Sequence, residues 1–413
     1  MEITAPAGSM AALQAALQAG ADSVYLGLKG LNMRARSGNN FSPAQLAEAV
    51  ALARSAGVKT YLTLNIIFYN KETEKIKEII NKAARSGIDA VIASDIAVIQ
   101  YCRQCRIPVH ISTQLSVANY EAVKFWAQYA DVIVLARELD LGMIKDITAR
   151  IKKDDLRGPS GELLKIEIFA HGALCISAGG RCGMSLYQYN ASANRGLCLQ
   201  SCRFKYRVIN EETGQEMRLQ NGYLFSAQDI CTIDILDRIK KAGVSVLKIE
   251  GRGRDALYVK KTVAVYKAAV EALRQNGYTA ARVSEWLEEL KTVFNRGLEG
   301  GYYLGNKCTN LANRYGSHAV EKKIFSGKVV HFYSKLKVVE ISITATPVKE
   351  GEKFVITGDT TGVLSGKIKN LRGDGCKQQT VKQGQRATFT VSRKVRINDR
   401  LYIIRKREKW KDL

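Results

Sequence analysis

The sequence predicts an α/β protein: a (β/α)8 TIM-type barrel with a Cys-rich insertion after strand 7 and a small C-terminal antiparallel β-barrel domain. Three observations lead there. From residue 2 to about 280, short β-branched runs alternate with longer amphipathic stretches, eight strands in all. Four of the nine cysteines crowd between the seventh and eighth strands, at Cys175, Cys182, Cys198 and Cys202. From about Ile324 the apolar period becomes two, and residues 321–413 hold 22 Lys plus Arg against 9 Asp plus Glu, a net +13 of the chain's +24.

The eight strands are EITAPA from Glu2, DSVYLG from Asp22, VKTYLTLN from Val58, IDAVIAS from Ile88, IPVHIST from Ile107, DVIVLA from Asp131, LKIEIFAH from Leu164 and VSVLKIE from Val244. Between them lie helical stretches such as Ser42–Gly57 and Asn70–Gly87, opened by Ser or Asn caps and closed by glycine. A doubly wound open sheet is the alternative, but it more often carries a GxGxxG turn after its first strand, and APAGS is not one. Leu257–Gly277 has helical apolar spacing and reads as the closing helix, and Ser284–Gly297 as a further helix with a Ser cap. The domain reading is a barrel over 1–300 with its insertion at 172–225, a linker over 301–323, and a basic β-barrel over 324–413 that closes its own edges.

With 413 residues, 46% hydrophobic and 25% charged, the chain has ordinary globular composition for two domains. No cationic start precedes an apolar run, and no eighteen uncharged apolar residues run together, so the expectation is a cytoplasmic protein with no membrane segment. A field of +24 concentrates polyanions. The excess on one appended module points to nucleic acid; the competing reading is mere solubility.

In such a barrel the working face is the C-terminal end of the strands. The residues there are Arg34 and Arg36 after strand two, Asn65 after strand three, and His110, Gln114 and Asn119 at and beyond strand five. Arg137 and Glu138 follow strand six, His171 strand seven, and Lys248, Glu250 and Arg252 lie at strand eight. Each has a plain alternative, a solvated ion pair for Arg137 and Glu138 or a core histidine for His110. Packing does not readily account for a dozen polar groups at the same ends of unrelated strands.

Several thiols within a glycine-rich loop point to a metal or cluster site rather than to disulfides in a reducing compartment. Only Cys198 and Cys202 have the short spacing of a structural zinc site, whereas iron–sulfur ligation tolerates wider loops. Cys231 brings the thiols in range to five. Cys102 and Cys105 form a lone CxxC, read as structural together with Cys308 and Cys376.

The run Glu167, Phe169, Gly172, Ala173, Leu174, Cys175, Gly180, Cys182, Met184 and Ser185 resembles the signature of the collagenase-like peptidase family of historically unknown catalytic type. The likeness extends to Lys248–Arg252 and to His110, Ser112, Thr113, Gln114 and Asn119, about the first three quarters of the chain. Members resemble prephenate-dependent RNA hydroxylation proteins, which add a 5-hydroxyl to a pyrimidine of transfer or ribosomal RNA, and several carry a 4Fe-4S cluster on four cysteines. The resemblance thus implies a cluster on Cys175, Cys182, Cys198 and either Cys202 or Cys231, with prephenate as co-substrate. Prephenate is a dicarboxylate, which gives a role to Arg34, Arg137, Arg252 and Lys248, with Asn65 and Gln114 also at the pocket. Glu250 and His171 are the candidates for proton transfer by position and chemistry. The expected partner is tRNA at the wobble uridine, or alternatively rRNA, held by the basic module.

Two other functions compete. Peptidase activity follows from the family name, but the chain has no HExxH or GxSxG and only four histidines, His110, His171, His318 and His331. A Cys175/His171 nucleophile pair would be the way to build it. A non-catalytic cluster- or RNA-binding role beside a partner subunit of the same family is the third reading.

Overall fold

The computed structural model describes residues 1–36, 40–217, 222–305 and 310–408. All eight predicted strands form: β1 (Glu2–Ala7), β2 (Ser23–Gly27), β3 (Lys59–Leu64), β4 (Ala90–Ala93), β5 (Val109–Ile111), β6 (Val132–Val134), β7 (Lys165–Ala173) and β8 (Val246–Ile249). Neighbours pair in parallel from β1 to β7, and β8 pairs with both β1 and β7, which closes the barrel. Outside it run α1 (Met10–Gln18), α2 (Gln45–Ser55), α3 (Thr73–Ser86), α4 (Ile96–Gln104), α5 (Tyr120–Ala127), α6 (Leu141–Lys153), α7 (Leu236–Lys241), α8 (Ala256–Arg274) and α9 (Ala280–Lys291). Their apolar faces and the strands share one core, which includes Ile3, Leu26, Leu62, Val91, Ile133 and Leu247. No described helix is long and apolar enough to cross a membrane.

Polar caps set several helix starts. The side chains of Ser9, Asp95, Asn119, Asp140 and Asp255 each accept a backbone N–H from the first turn. Asn119, placed by the sequence among the mouth residues, is therefore the N-cap of α5 and accepts from Ala122 N at 2.9 Å. Ser284 is not a cap: α9 starts four residues earlier, behind Thr279, whose Oγ1 accepts from Arg282 N.

β7 runs beyond the rim and pairs antiparallel with a short strand, Asp229–Cys231, that the sequence reading missed. On β7 the partner register jumps from Lys248↔Phe169 to Ile249↔His171, so Ala170 is an extra residue. A bulge of this kind reverses the in–out alternation beyond it.

The stretch read as a linker packs against the barrel. Tyr303 is buried and its hydroxyl donates to Phe169 O at 2.7 Å, while Ala312 N donates to Ser226 O at 2.7 Å. The C-terminal unit follows with β9 (Glu321–Tyr333), β10 (Val338–Ile343), β11 (Lys353–Gly358), β12 (Gly362–Lys367), β13 (Arg386–Thr390) and β14 (Arg400–Lys406). Their order is β12-β11-β14-β9-β10-β13, continued by two short strands. Among the described residues no pairing joins its two ends, so the expected small barrel is an antiparallel sheet around its own core of residues such as Ile341, Phe354, Phe389 and Ile403. It docks on α1 and α8. Gln18 donates to Thr361 O at 2.8 Å and accepts from Val363 N at 3.2 Å, and Lys260 Nζ donates to Val363 O at 2.9 Å.

Candidate functional site

The Cys-rich segment leaves the end of β7 and folds down over the C-terminal mouth of the barrel. Two glycines permit this. Gly172 has φ +106°, and a Cβ there would lie 2.4 Å from Glu250 O; Gly196 has φ +80°, and a Cβ there would lie 2.2 Å from Asn32 O. Charged side chains fasten the segment. The buried Arg203 donates to Leu174 O at 2.6 Å and Ala227 O at 2.5 Å, and Arg195 grips Glu72 at 2.6 and 2.7 Å while lying 4.2 Å over the Tyr69 ring.

Cys175, Cys182, Cys198 and Cys202 line one cavity under this segment. The rest of its wall is made by Arg34, Asn65, Gln114, Arg137, Lys248, Glu250 and Arg252, drawn from five different strand ends. Cys231 does not line it. That thiol sits in the extra strand, 3% exposed within the barrel core and 3.9 Å from the Tyr266 hydroxyl, and burial pushes it up to about 12. Cys102 is buried in α4 and Cys376 is exposed on the C-terminal sheet, while Cys308 lies outside the described residues.

The donor set can be matched against the groups it was expected to hold. Among the described residues no three His, Cys, Asp or Glu side chains gather closely enough to hold a single metal ion. Four thiols nonetheless face one space, and Cys202 feels the charge of the other three. A 4Fe-4S cubane presents one iron to each thiolate, so its ligands stand further apart than four donors around one zinc. Four thiols on one cavity match in number and kind the ligands such a cluster takes. Two sulfurs also accept backbone N–H groups two residues on, Cys182 from Met184 N and Cys198 from Gln200 N, both at 3.4 Å, the kind of hydrogen bond that steadies a thiolate ligand. Burial would raise the Cys175 thiol, but Arg137, Ser177 and Arg34 outweigh it and bring it down.

The wall opposite is cationic. Arg34 clasps Glu250 with Nε at 3.3 Å and Nη2 at 3.0 Å from one oxygen. Burial would raise the Glu250 carboxyl, yet Arg34, Arg254 and Arg137 hold it at about 2. Arg137 lies 4.1 Å over the Phe169 ring, and Arg252 donates to Thr63 Oγ1 at 2.7 Å, its pKa lowered by burial to about 10. Asn65 donates to Gln114 Oε1 at 3.4 Å, and Gln114 in turn holds the Ser112 hydroxyl. Lys248 donates to the fully buried Glu167 at 2.5 Å and lies 4.5 Å over Tyr25, which forms the cavity floor. Glu167 therefore points into the barrel.

His171 is not part of the cavity. The extra residue Ala170 turns its ring outward against Tyr266 and Tyr258 of α8, at centroid distances of 5.5 and 6.0 Å. Burial, then Arg254, lowers its pKa to about 3, so it is a neutral packing residue rather than a proton carrier at the mouth. His110 points to the other end of the barrel, where it lines a cavity with Glu2, Lys59 and Asp89. Sequence reasoning also missed Arg254, Arg296 and Arg314, which line a neighbouring cavity, because they lie on segments far apart in the chain.

The fold and this site define a class: a cysteine-roofed (β/α)8 barrel with a cation-rich cavity at its C-terminal face. The chain belongs to peptidase family U32, whose match covers residues 8–313. It is 43% identical over 407 residues to a "Collagenase" of Porphyromonas gingivalis, covering 98% of each chain. It is 33% identical over 336 residues to a "tRNA hydroxylation protein P" of Helicobacter pylori, covering 79% of this chain and 76% of that one. A 23S rRNA 5-hydroxycytidine synthase of Escherichia coli is 32% identical over 304 residues, covering 72% of this chain and 44% of that one.

Proposed function

We propose that this chain is an RNA-modifying enzyme that hydroxylates C5 of a pyrimidine, most simply the wobble uridine of a tRNA, with prephenate as co-substrate and a 4Fe-4S cluster on Cys175, Cys182, Cys198 and Cys202. The observation that carries the reading is the single cavity shared by four thiols and the cations Arg34, Arg137, Lys248 and Arg252. The names of the RNA-hydroxylating relatives supply the substrate class.

Replacing C5–H by C5–OH with the oxygen of water releases two protons and two electrons, which the side chains of this cavity do not accept; a cluster on the four thiols would relay the electrons one at a time to an external electron acceptor. The chain's own residues bind and orient. Arg137 and Arg252 present guanidiniums to carboxylates of a small dianion, Arg34 sits between that ligand and Glu250, and Asn65 and Gln114 offer neutral hydrogen bonds at the wall. Among the described residues Glu250 is the one carboxylate of the cavity wall; Arg34 holds it ionised, so it orients that guanidinium and offers only a weak base for a proton released from the reacting base.

The 43% identical relative named collagenase keeps hydrolysis as a second reading. A cysteine nucleophile would need a histidine beside it, and no histidine lines the cavity among the described residues. The test is nucleoside mass spectrometry of total tRNA and rRNA from a deletion strain, complemented with the chain. Loss and recovery of a 5-hydroxypyrimidine is the expected result. Unchanged nucleosides together with collagen cleavage by the purified chain would transfer the assignment to hydrolysis.

A further inference from the structure

Outside the cysteine roof lies a second cavity of about 520 Å3 that shares Met33, Arg34 and Cys198 with the mouth. Among the described residues six arginines line it, Arg34, Arg36, Arg203, Arg254, Arg296 and Arg314, and no acidic residue does. From behind the wall Glu250 pairs with Arg34, and Asp229 with Arg296 at 3.3 Å. The lining of this partly buried space is itself cationic. Burial lowers the pKa of both Arg203 and Arg254, which shows that desolvation works against their charge there. An anionic occupant would offset that cost.

The lip of the cavity is aromatic. Phe204 and Tyr315 stack with ring centroids 6.4 Å apart and planes 26° apart, yet Phe204 is 43% and Tyr315 65% exposed. An adjoining cleft shares Arg254 and Phe294 with this cavity and adds Lys322, Lys323 and Arg407 beside Asp255 and Glu321, so a smaller positive excess continues toward the C-terminal sheet. A small dianion does not need this space, since Arg137, Lys248 and Arg252 face the mouth instead. Exposed aromatic faces beside several guanidiniums suit an unpaired nucleotide with its flanking phosphates.

We propose that this arginine cavity docks the sugar–phosphate backbone of a single-stranded RNA segment, with one base stacked on the Phe204 and Tyr315 lip and its neighbour delivered past Cys198 to the barrel mouth. The proposal rests on the RNA-modifying reading above and adds where the RNA lies. It moves the principal contact from the C-terminal sheet to the cysteine roof.

The test uses the full chain, purified anaerobically, and a fluorescein-labelled RNA stem-loop with a uridine-containing loop, with binding read by anisotropy across a salt series. Tyr315→Ala and Phe204→Ala should each weaken binding by about ten-fold. Arg36→Glu should weaken it and lower the slope of log affinity against log salt by about one, more than Lys75→Glu on the exposed side of α3 does. Wild-type affinity and slope in all three cavity variants would overturn the proposal. So would prephenate binding that is lost in Arg36→Glu, since the cavity would then belong to the small dianion. Binding is read without turnover, so a deletion strain with normal nucleosides would sink the hydroxylase reading and leave the docking result standing.

Discussion

Lys248 and Glu167 show how the barrel interior commits to charge. Glu167 is fully buried, its Oε1 takes the Lys248 ammonium, and its Oε2 has no hydrogen-bond partner among the described residues. Removing one partner strands the other: Lys248→Met should cost about 3–5 kcal/mol in denaturant unfolding, and adding Glu167→Gln should recover part of it. Two histidines give a pH signature. His110 and His171 both have pKa values near 3, each lowered first by burial. Their folded values lie below the unfolded value of about 6.5, so unfolding takes up protons as the pH falls between those limits. Stability from this source is fully present above about 6.5 and falls by about 1.4 kcal/mol per pH unit for each histidine as the pH drops toward 3. His171→Asn should flatten the decline by one proton, measured as unfolding free energy between pH 6.5 and 4.5. The role of His171 was not legible from the sequence, because period two carries it inward with Glu167 and Phe169, and the bulge at Ala170 that reverses it leaves no mark in the composition. Cysteine placement was legible, since four thiols so close together in a glycine-rich loop leave few packing explanations.

At the scale of elements, the eight barrel strands could be read because each is a short apolar run bounded by polar residues or glycine, and all eight formed. The extra strand Asp229–Cys231 could not, because three residues carry no period and exist only through pairing with the overrun of β7. That pairing removes Cys231 from the roof. The α9 start was misplaced because Ser284 is by propensity the better cap and only the fold selects Thr279. The roof itself depends on a few backbone devices. Gly196→Ala would put a methyl group against Asn32 O at a left-handed backbone position and should cost well over 1 kcal/mol. Arg203→Ala leaves two buried carbonyls without their donor, about 1–3 kcal/mol each. Both variants should open the roof before the barrel unfolds, seen as faster hydrogen exchange confined to residues 174–205 with the barrel strands unchanged.

At the scale of the whole molecule, the C-terminal sheet is fixed to α1 and α8, and a cleft lined by its Glu321, Lys322, Lys323 and Arg407 adjoins the arginine cavity. Gln18 mimics a strand edge by both donating to and accepting from β12 and the residue before it. Gln18→Ala should loosen the docking and raise protease sensitivity between the two units without altering barrel unfolding. The sequence located the positive charge on the C-terminal unit by counting; it did not show that arginines from five other segments assemble beside the roof, because that depends on closure of the barrel. The roof thiols decide which chemistry the barrel mouth can perform. The direct measurement is iron and acid-labile sulfide per chain after anaerobic purification of the wild type and of five single Cys→Ser variants. The prediction is a cluster in the wild type and in Cys231→Ser, and its loss in Cys175→Ser, Cys182→Ser, Cys198→Ser and Cys202→Ser. A wild type carrying zinc alone, or a cluster that survives Cys202→Ser and disappears in Cys231→Ser, would contradict it.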